Sequence, residues 1–187
     1  MDKRQFMGAA LAAAAPLAPA APQAVRGPTL LTVSGAITRA NRGPVDPVRD
    51  QMMHKQKVAF SSARTFDFAQ LLALPAITIR PTLEYDARVH VLRGPLLHDV
   101  LAAAGAPLSG QLTLRAVDGY AATIVMAQAR AQRLIVATHM DGQPMALGGL
   151  GPLWAIYDAD RVPQAAAKPL AERFGACPWA LYHIDIN

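Results

Sequence analysis

LTLRAVDGYAATI, residues 112–124, alternates apolar and polar side chains on both sides of an Asp-Gly pair. Leu112, Leu114 and Ala116 share one face of a strand, Asp118-Gly119 breaks the run, and Tyr120, Ala122 and Ile124 restart it. Period two on either side of Asp-Gly predicts two strands joined by a two-residue hairpin turn. This commits the middle of the chain to antiparallel sheet. It leaves Asp118 and Tyr120 at the hairpin tip, either as turn architecture or as an acid and a phenol on the rim of a pocket.

Upstream, TLLTVSGAITRANRG reads as a strand from Leu30 to Thr38, broken at Gly35 and followed by a turn at Asn41-Arg42-Gly43-Pro44. The next stretch, through Pro47, Asp50 and His54, has little periodicity and reads as a surface excursion with a candidate short strand at Lys57 to Ser61. TFDFAQLLALP places Phe68, Leu71 and Leu72 at helical spacing, with Thr65 or Asp67 as the cap and Pro75 as the stop. AITIRPTLEY supplies a strand from Ile77 to Arg80 that Pro81 ends or pushes to a sheet edge. GPLLHDVLAAAG is the best-specified helix: Pro95 suits its first position, Leu96, Leu97, Val100, Leu101 and Ala104 form one stripe, and Gly105 suits its left-handed end.

Downstream, RLIVATHM is a further strand closed by Asp141-Gly142, and the Gly-rich link LGGLGP leads into the strand LWAIYD. In CPWALYHIDI, strict alternation sets Trp179, Leu181 and His183 opposite Ala180, Tyr182 and Ile184. About seven strands and two or three short helices make an α+β domain, with a twisted mixed sheet or a partly closed barrel at its centre.

The 187 residues suffice for one domain with a real core and not for two large ones. Residues 1–24 read as an export signal. Lys3 and Arg4 precede an Ala/Leu run from Met7 to Leu17, and small residues follow at Ala18-Pro19-Ala20 and up to Ala24. DKRQFMG also resembles a twin-arginine signal with Lys3 in place of the first arginine. The run is too short to span a bilayer, so residues 25–187 are expected as a single domain with no membrane span, in the periplasm or secreted. The formal charge of +5 is spread along the chain without the basic-aromatic clustering of a nucleic-acid groove. Cys177 is the only cysteine, which excludes an internal disulfide and a cysteine-based metal cluster, and its apolar setting predicts a partly buried structural thiol.

Few residues carry a chemical signature. His54, His90, His98, His139 and His183 lack metal-shell spacing, and only His139, at a strand end before MDG, has a pocket-like position. Ser34, Ser61, Ser62 and Ser109 lie in no nucleophile elbow, and GGLGP lacks the lysine of a phosphate loop. Glu84, Asp86, Asp118, Asp141, Asp158 and Asp160 have no spacing that pairs them for acid/base work. Arg93, ahead of a helix, is placed to meet an anion.

The order FAQLLALPAITI, GPLLHDVLAAAG, LTLRAVDGYAATI, LIVATHMDGQPMALGGLGPLWAIYDAD and WALYHIDI resembles the molybdopterin-binding domain of the sulfite-oxidase family, and more closely its small exported members. The resemblance covers about residues 65–187. It implies an α+β fold of mixed sheets with a few short helices. It also implies a molybdenum ion held by a pterin dithiolene and one cysteine thiolate. The stretch TLEYDARVHVLRG, where that thiolate is expected, contains no cysteine; Tyr85 stands nearest the position, and Cys177 belongs to the segment before the last strand. A phenol is not equivalent to a soft thiolate donor, and the scattered Arg80, Arg88 and Arg93 are weak anchors for a pterin phosphate.

The expected function is therefore an exported non-catalytic ligand-binding, sensory or accessory protein without a molybdenum cofactor. Its expected partner is a small anionic ligand or a periplasmic protein. The alternatives are a periplasmic molybdopterin-dependent oxidoreductase with an atypical metal ligand, and a protein-interaction scaffold. The candidate cleft residues are Tyr85, Arg93, Asp118, Tyr120 and His139.

Overall fold

The computed structural model describes residues 27–187; the leader reading lies outside them. The first strand, β1 (Thr29–Gly35), buries Leu31 and Val33 on one face and Thr32 and Ser34 on the other. After a long excursion containing α1 (Gln51–Lys55), the chain forms β2 (Ala63–Asp67), α2 (Phe68–Leu72) and β3 (Ala76–Ile79). Next come β4 (Leu92–Pro95), α3 (Leu97–Ala103), β5 (Gln111–Ala116), β6 (Ala121–Val125) and α4 (Met126–Ala131). Short strands β7 (Ile135–Ala137), β8 (His139–Met140), β9 (Gln143–Pro144) and β10 (Trp154–Ile156) precede α5 (Pro163–Ala166) and the final strand β11 (Leu181–Ile186).

Three sheets result: a five-stranded one ordered β2-β1-β11-β5-β6, a four-stranded one ordered β3-β4-β8-β9, and the pair β10-β7. In the first, β1 and β11 run parallel and the remaining pairs are antiparallel, so the described chain's first and last strands lie side by side. The architecture is α+β, with several sheets and short helices. Leu31, Val33, Leu112, Leu114, Ile184 and Ile186 cover one face of the large sheet, and α3 adds the expected stripe of Leu97, Val100, Leu101 and Ala104. Burying these side chains supplies the main stabilisation, at roughly 1.5–3 kcal/mol for each large aliphatic residue.

Local chemistry explains where the elements begin and end. Asp67 caps α2: its carboxylate accepts from the Gln70 amide at 2.7 Å, while the Gln70 side chain accepts from the Asp67 amide at 3.0 Å. Gly105, at φ +72°, ends the helical turn after α3. Pro95 differs from its expected role: it closes β4 opposite Ala76, Leu96 bridges Ile135, and the helix begins only at Leu97, whose amide donates to the Leu134 carbonyl at 2.8 Å. Sheet pairing overrides the preference of proline for a first helical turn. Arg93, expected just ahead of the helix and facing an anion there, lies within β4, paired with Thr78 and His139.

The two Asp-Gly turns differ. Asp141 and Gly142 both have positive φ, 49° and 81°, and join β8 to β9 as a two-residue turn across the Met140–Gln143 pair. Between β5 and β6 only Gly119 has positive φ, at +94°. There the Gly119 amide donates to the Ala116 carbonyl, and the Ala116 amide donates to the Tyr120 carbonyl. This is a three-residue loop, Val117 to Gly119, with a glycine bulge in place of the expected two-residue turn.

The candidate strand at 57–61 is absent; the strand falls at β2, paired to β1. The excursion is also more than surface. Met53 and Val58 pack against Tyr182, whose hydroxyl donates to Gln56 Oε1 at 2.8 Å. Arg42 pairs with Asp50 at 2.5 Å and lies over the Phe60 ring. Residues 41–62 thus cover the second face of the large sheet. In β11 the pairing register shifts between Leu181 and His183, so the expected alternation fails: Leu181 joins the main core, Tyr182 the second cluster, and His183 the covered face.

Candidate functional site

Four separate segments meet around a cleft of about 440 Å³. Glu84 and Tyr85 come from the turn after β3, Asp118 and Tyr120 from the β5–β6 loop, Trp154 from β10, and Phe174 to Trp179 from the approach to β11. Each segment is anchored. The Leu83 and Ala87 amides close the Tyr85 turn on Arg88 and Leu83, and the Thr82 amide donates to Asp160 at 2.7 Å. Asp118 accepts from the Tyr120 amide at 2.9 Å, and the Tyr120 hydroxyl donates to the Gly175 carbonyl, tying the hairpin tip to the segment before β11. Trp154 is buried, and its indole N–H donates to the Cys177 carbonyl at 2.9 Å.

The walls are aromatic. Tyr85 lies 6.4 Å from Trp154, which lies 6.5 Å from Phe174, ring centre to ring centre. Tyr85, Tyr120 and Trp179 are exposed at the mouth, unlike the ring floor beneath them. Tyr85 is 56% exposed as a residue, and its hydroxyl is only partly desolvated. Burial first, and then the Glu84 carboxylate, raise its pKa, with Trp179 acting in the opposite sense.

Cys177 lies at the bottom of the cleft. Burial pushes its thiol up to about 12, with Glu84 adding to the shift and the Tyr157 backbone opposing it, so the group is a neutral thiol at physiological pH. As a soft metal ligand it would have to lose that proton. Among the described residues no group of three His, Cys, Asp or Glu side chains is arranged to hold a metal ion. The cleft lining contains Glu84 and Asp118 and no lysine, arginine or histidine. That donor set does not fit an anionic pterin with a thiolate-bound metal.

A larger groove of about 740 Å³ lies on the other side of Cys177. Arg173, its apparent anchor, is already committed to Asp160 at 2.8 Å and to the Lys168 and Ala166 carbonyls. Arg80 and Arg161 line a smaller neighbouring hollow with Asp158, which Arg161 approaches at 3.5 Å. In the smaller aromatic cleft, by contrast, rings and carboxylates converge on one space.

The five sequence candidates divide. Tyr85, Asp118 and Tyr120 share the cleft. Arg93 and His139 face each other across β4 and β8 in the other sheet and do not line it. The Arg93 carbonyl accepts from the Thr138 amide, and the His139 ring sits 5.8 Å from Phe68. Glu84, Trp154, Phe174 and Trp179 also line the cleft and were not among the five cleft candidates. The one available signal was the irregular run GACPW before the last strand, which has no regular period and ends on a large aromatic.

A second polar group was also missed. Ser34 Oγ donates to Asp185 at 2.5 Å and lies 2.9 Å from His183 Nε2. These are the residue types of a hydrolytic triad in the wrong connection. The serine proton goes to the carboxylate, so His183 Nε2 donates to the serine oxygen and cannot act as its base. Ser34 and His183 are buried, Phe60 stacks on the His183 ring, and His183 Nδ1 is buried without a partner. Burial lowers the His183 pKa to about 4 despite the opposing Asp185, so the ring is neutral. The group braces the parallel β1–β11 pair and has no access to substrate.

No family model matches this sequence, and no curated protein matches it. Among solved structures, the sulfane dehydrogenase SoxCD from Paracoccus pantotrophus is similar, with a TM-score of 0.52 and 13% identity. The match covers 83% of this chain and 37% of that one. At this identity the likeness is one of fold, so the chain shares an α+β fold with a little over a third of a dehydrogenase chain.

Proposed function

We propose that this protein is an exported, non-catalytic ligand-binding or sensory domain on a sulfite-oxidase-like molybdopterin-binding fold, and that the Tyr85 cleft is where it binds. The observation that carries this reading is the cleft itself. At about 440 Å³, with convergent aromatic walls and two carboxylates at its rim, it has the size and lining of a small-molecule site. The absence of cysteine from TLEYDARVHVLRG and of any cationic side chain from the cleft lining supports a role without the molybdenum cofactor. Lys3, Arg4 and the Ala/Leu run after them support export, and sequencing the N-terminus of the periplasmic product tests that part.

The binding reading is tested by a fragment screen with ligand-observed NMR on the full protein and on a Trp179→Ala variant. Fragments that bind the former and are lost from the latter support it. A screen with no Trp179-dependent binder contradicts it. The fold likeness to a sulfane dehydrogenase favours a second reading, an oxidoreductase with an atypical ligand. Near-stoichiometric molybdenum and pterin in protein purified from cofactor-producing cells would establish that reading and overturn the first.

A further inference from the structure

We infer that the Tyr85 cleft selects a small organic cation, an alkylated ammonium or amine carrying apolar groups; this rests on the cleft being the binding site. Its formal charges are Glu84 and Asp118, with no cationic side chain in the lining to neutralise them. Neither carboxylate is engaged in a salt bridge among the described residues. Asp118 spends one oxygen on the Tyr120 amide and keeps the other. Glu84 stands beside the Tyr85 hydroxyl and close enough to the Cys177 thiol that its charge raises both.

The walls act in the same direction. Tyr85, Tyr120 and Trp179 stand exposed around the mouth, and an aromatic face carries negative charge density that attracts a cation and repels an anion. The Tyr120 hydroxyl is already donated to Gly175, which removes one of the few donors an anion would need. A bare metal ion or ammonium would keep its water and gain little from rings, whereas an alkylated cation buries its methyl groups against them and keeps its charge beside the carboxylates. The small anionic ligand expected from the sequence is the wrong charge for this cleft.

The test uses two probes of nearly the same shape, choline and its uncharged carbon isostere 3,3-dimethylbutan-1-ol. Each is titrated into the full protein while the Trp179 indole N–H resonance is followed. Choline should bind at least about tenfold more tightly than the isostere. Choline affinity should fall about fivefold in Glu84→Gln or Asp118→Asn, and fall as salt is raised. Equal or tighter binding of the isostere overturns the cation inference and leaves the binding reading intact. So does a screen in which neutral or anionic fragments shift Trp179 and choline does not. Failure of cationic, neutral and anionic compounds alike to perturb Trp179 overturns both.

Discussion

In the Tyr85 cleft, phenols, carboxylates and rings stand at a mouth open to water, with Tyr85, Tyr120 and Trp179 all exposed. On the covered face of the large sheet, Ser34, His183 and Asp185 bring together a hydroxyl, a ring and a carboxylate as well, but Ser34 and His183 are sealed from solvent. The chemical inventories are close, and the difference is access. Where water reaches the side chains they can meet a ligand. Where it does not, the ring must stay neutral, and every hydrogen bond is committed to holding two strands together. Hydroxyl, histidine and carboxylate within contact distance therefore do not mark a hydrolytic site here; the direction of proton donation decides.

The largest effect that could break this contrast is on acid stability. His183 titrates at about 4 in the folded chain and near 6.5 when unfolded, so below pH 6.5 the unfolded chain binds the extra proton. Its contribution is fully present above pH 6.5 and is lost as pH falls toward 4, by about 3 kcal/mol. Urea unfolding between pH 7.5 and 4.5 should show this fall, and His183→Gln should flatten it. Next in size, Ser34→Ala should cost about 2 kcal/mol by stranding buried partners, with ligand binding at Trp179 unchanged. Trp179→Ala should do the reverse, costing about 1 kcal/mol or less in denaturant melts while abolishing binding.

Cys177 sharpens the contrast from the cleft side. With its thiol buried and pushed up to about 12, it should resist a thiol-specific disulfide reagent in native protein at pH 8 and react fully once unfolded. Rapid native labelling would mean the cleft floor opens. The smallest effect concerns His90, whose ring bridges Asp141 at 2.7 Å and Asp86 at 3.0 Å and so clips the Tyr85 loop to the β8–β9 turn. Asp141 first, then Asp86, raise its pKa, so the clip is complete below pH 6.5 and is lost as pH rises through the raised value. Hydrogen exchange of residues 82–91, corrected for intrinsic rate, should speed up over that rise and lose its pH dependence in His90→Ala.

Much of the fold was legible because its signals are local. The period-two run around Asp118, the α3 stripe and the Asp67 cap each lie within about a dozen residues, and each is present. Errors arose where distant pairing outweighed local preference. Pro95 was drawn into β4 by β3, one bulge at Tyr182 reversed the facing of His183, and α4 buries only Met126 and Ala129, too few positions to make a stripe. The site was less legible still. Tyr85 drew notice by its place near the expected thiolate and Asp118 and Tyr120 by the hairpin tip, but Trp179 entered only as one position of an alternating strand and Glu84 only as an unpaired acid, because only folding brings residues 84, 118, 154 and 179 to one space. Ser34 and His183 are 149 positions apart, and nothing in either neighbourhood points to the other.

The most direct test of the account is a crystal structure of protein purified from cells that make the molybdenum cofactor, with anomalous data recorded at the molybdenum edge. No molybdenum peak is expected and, after soaking with choline, density for the cation should lie between Tyr85, Trp179 and the Glu84 carboxylate. An anomalous peak at near-full occupancy within bonding distance of Cys177 or Tyr85 would contradict it.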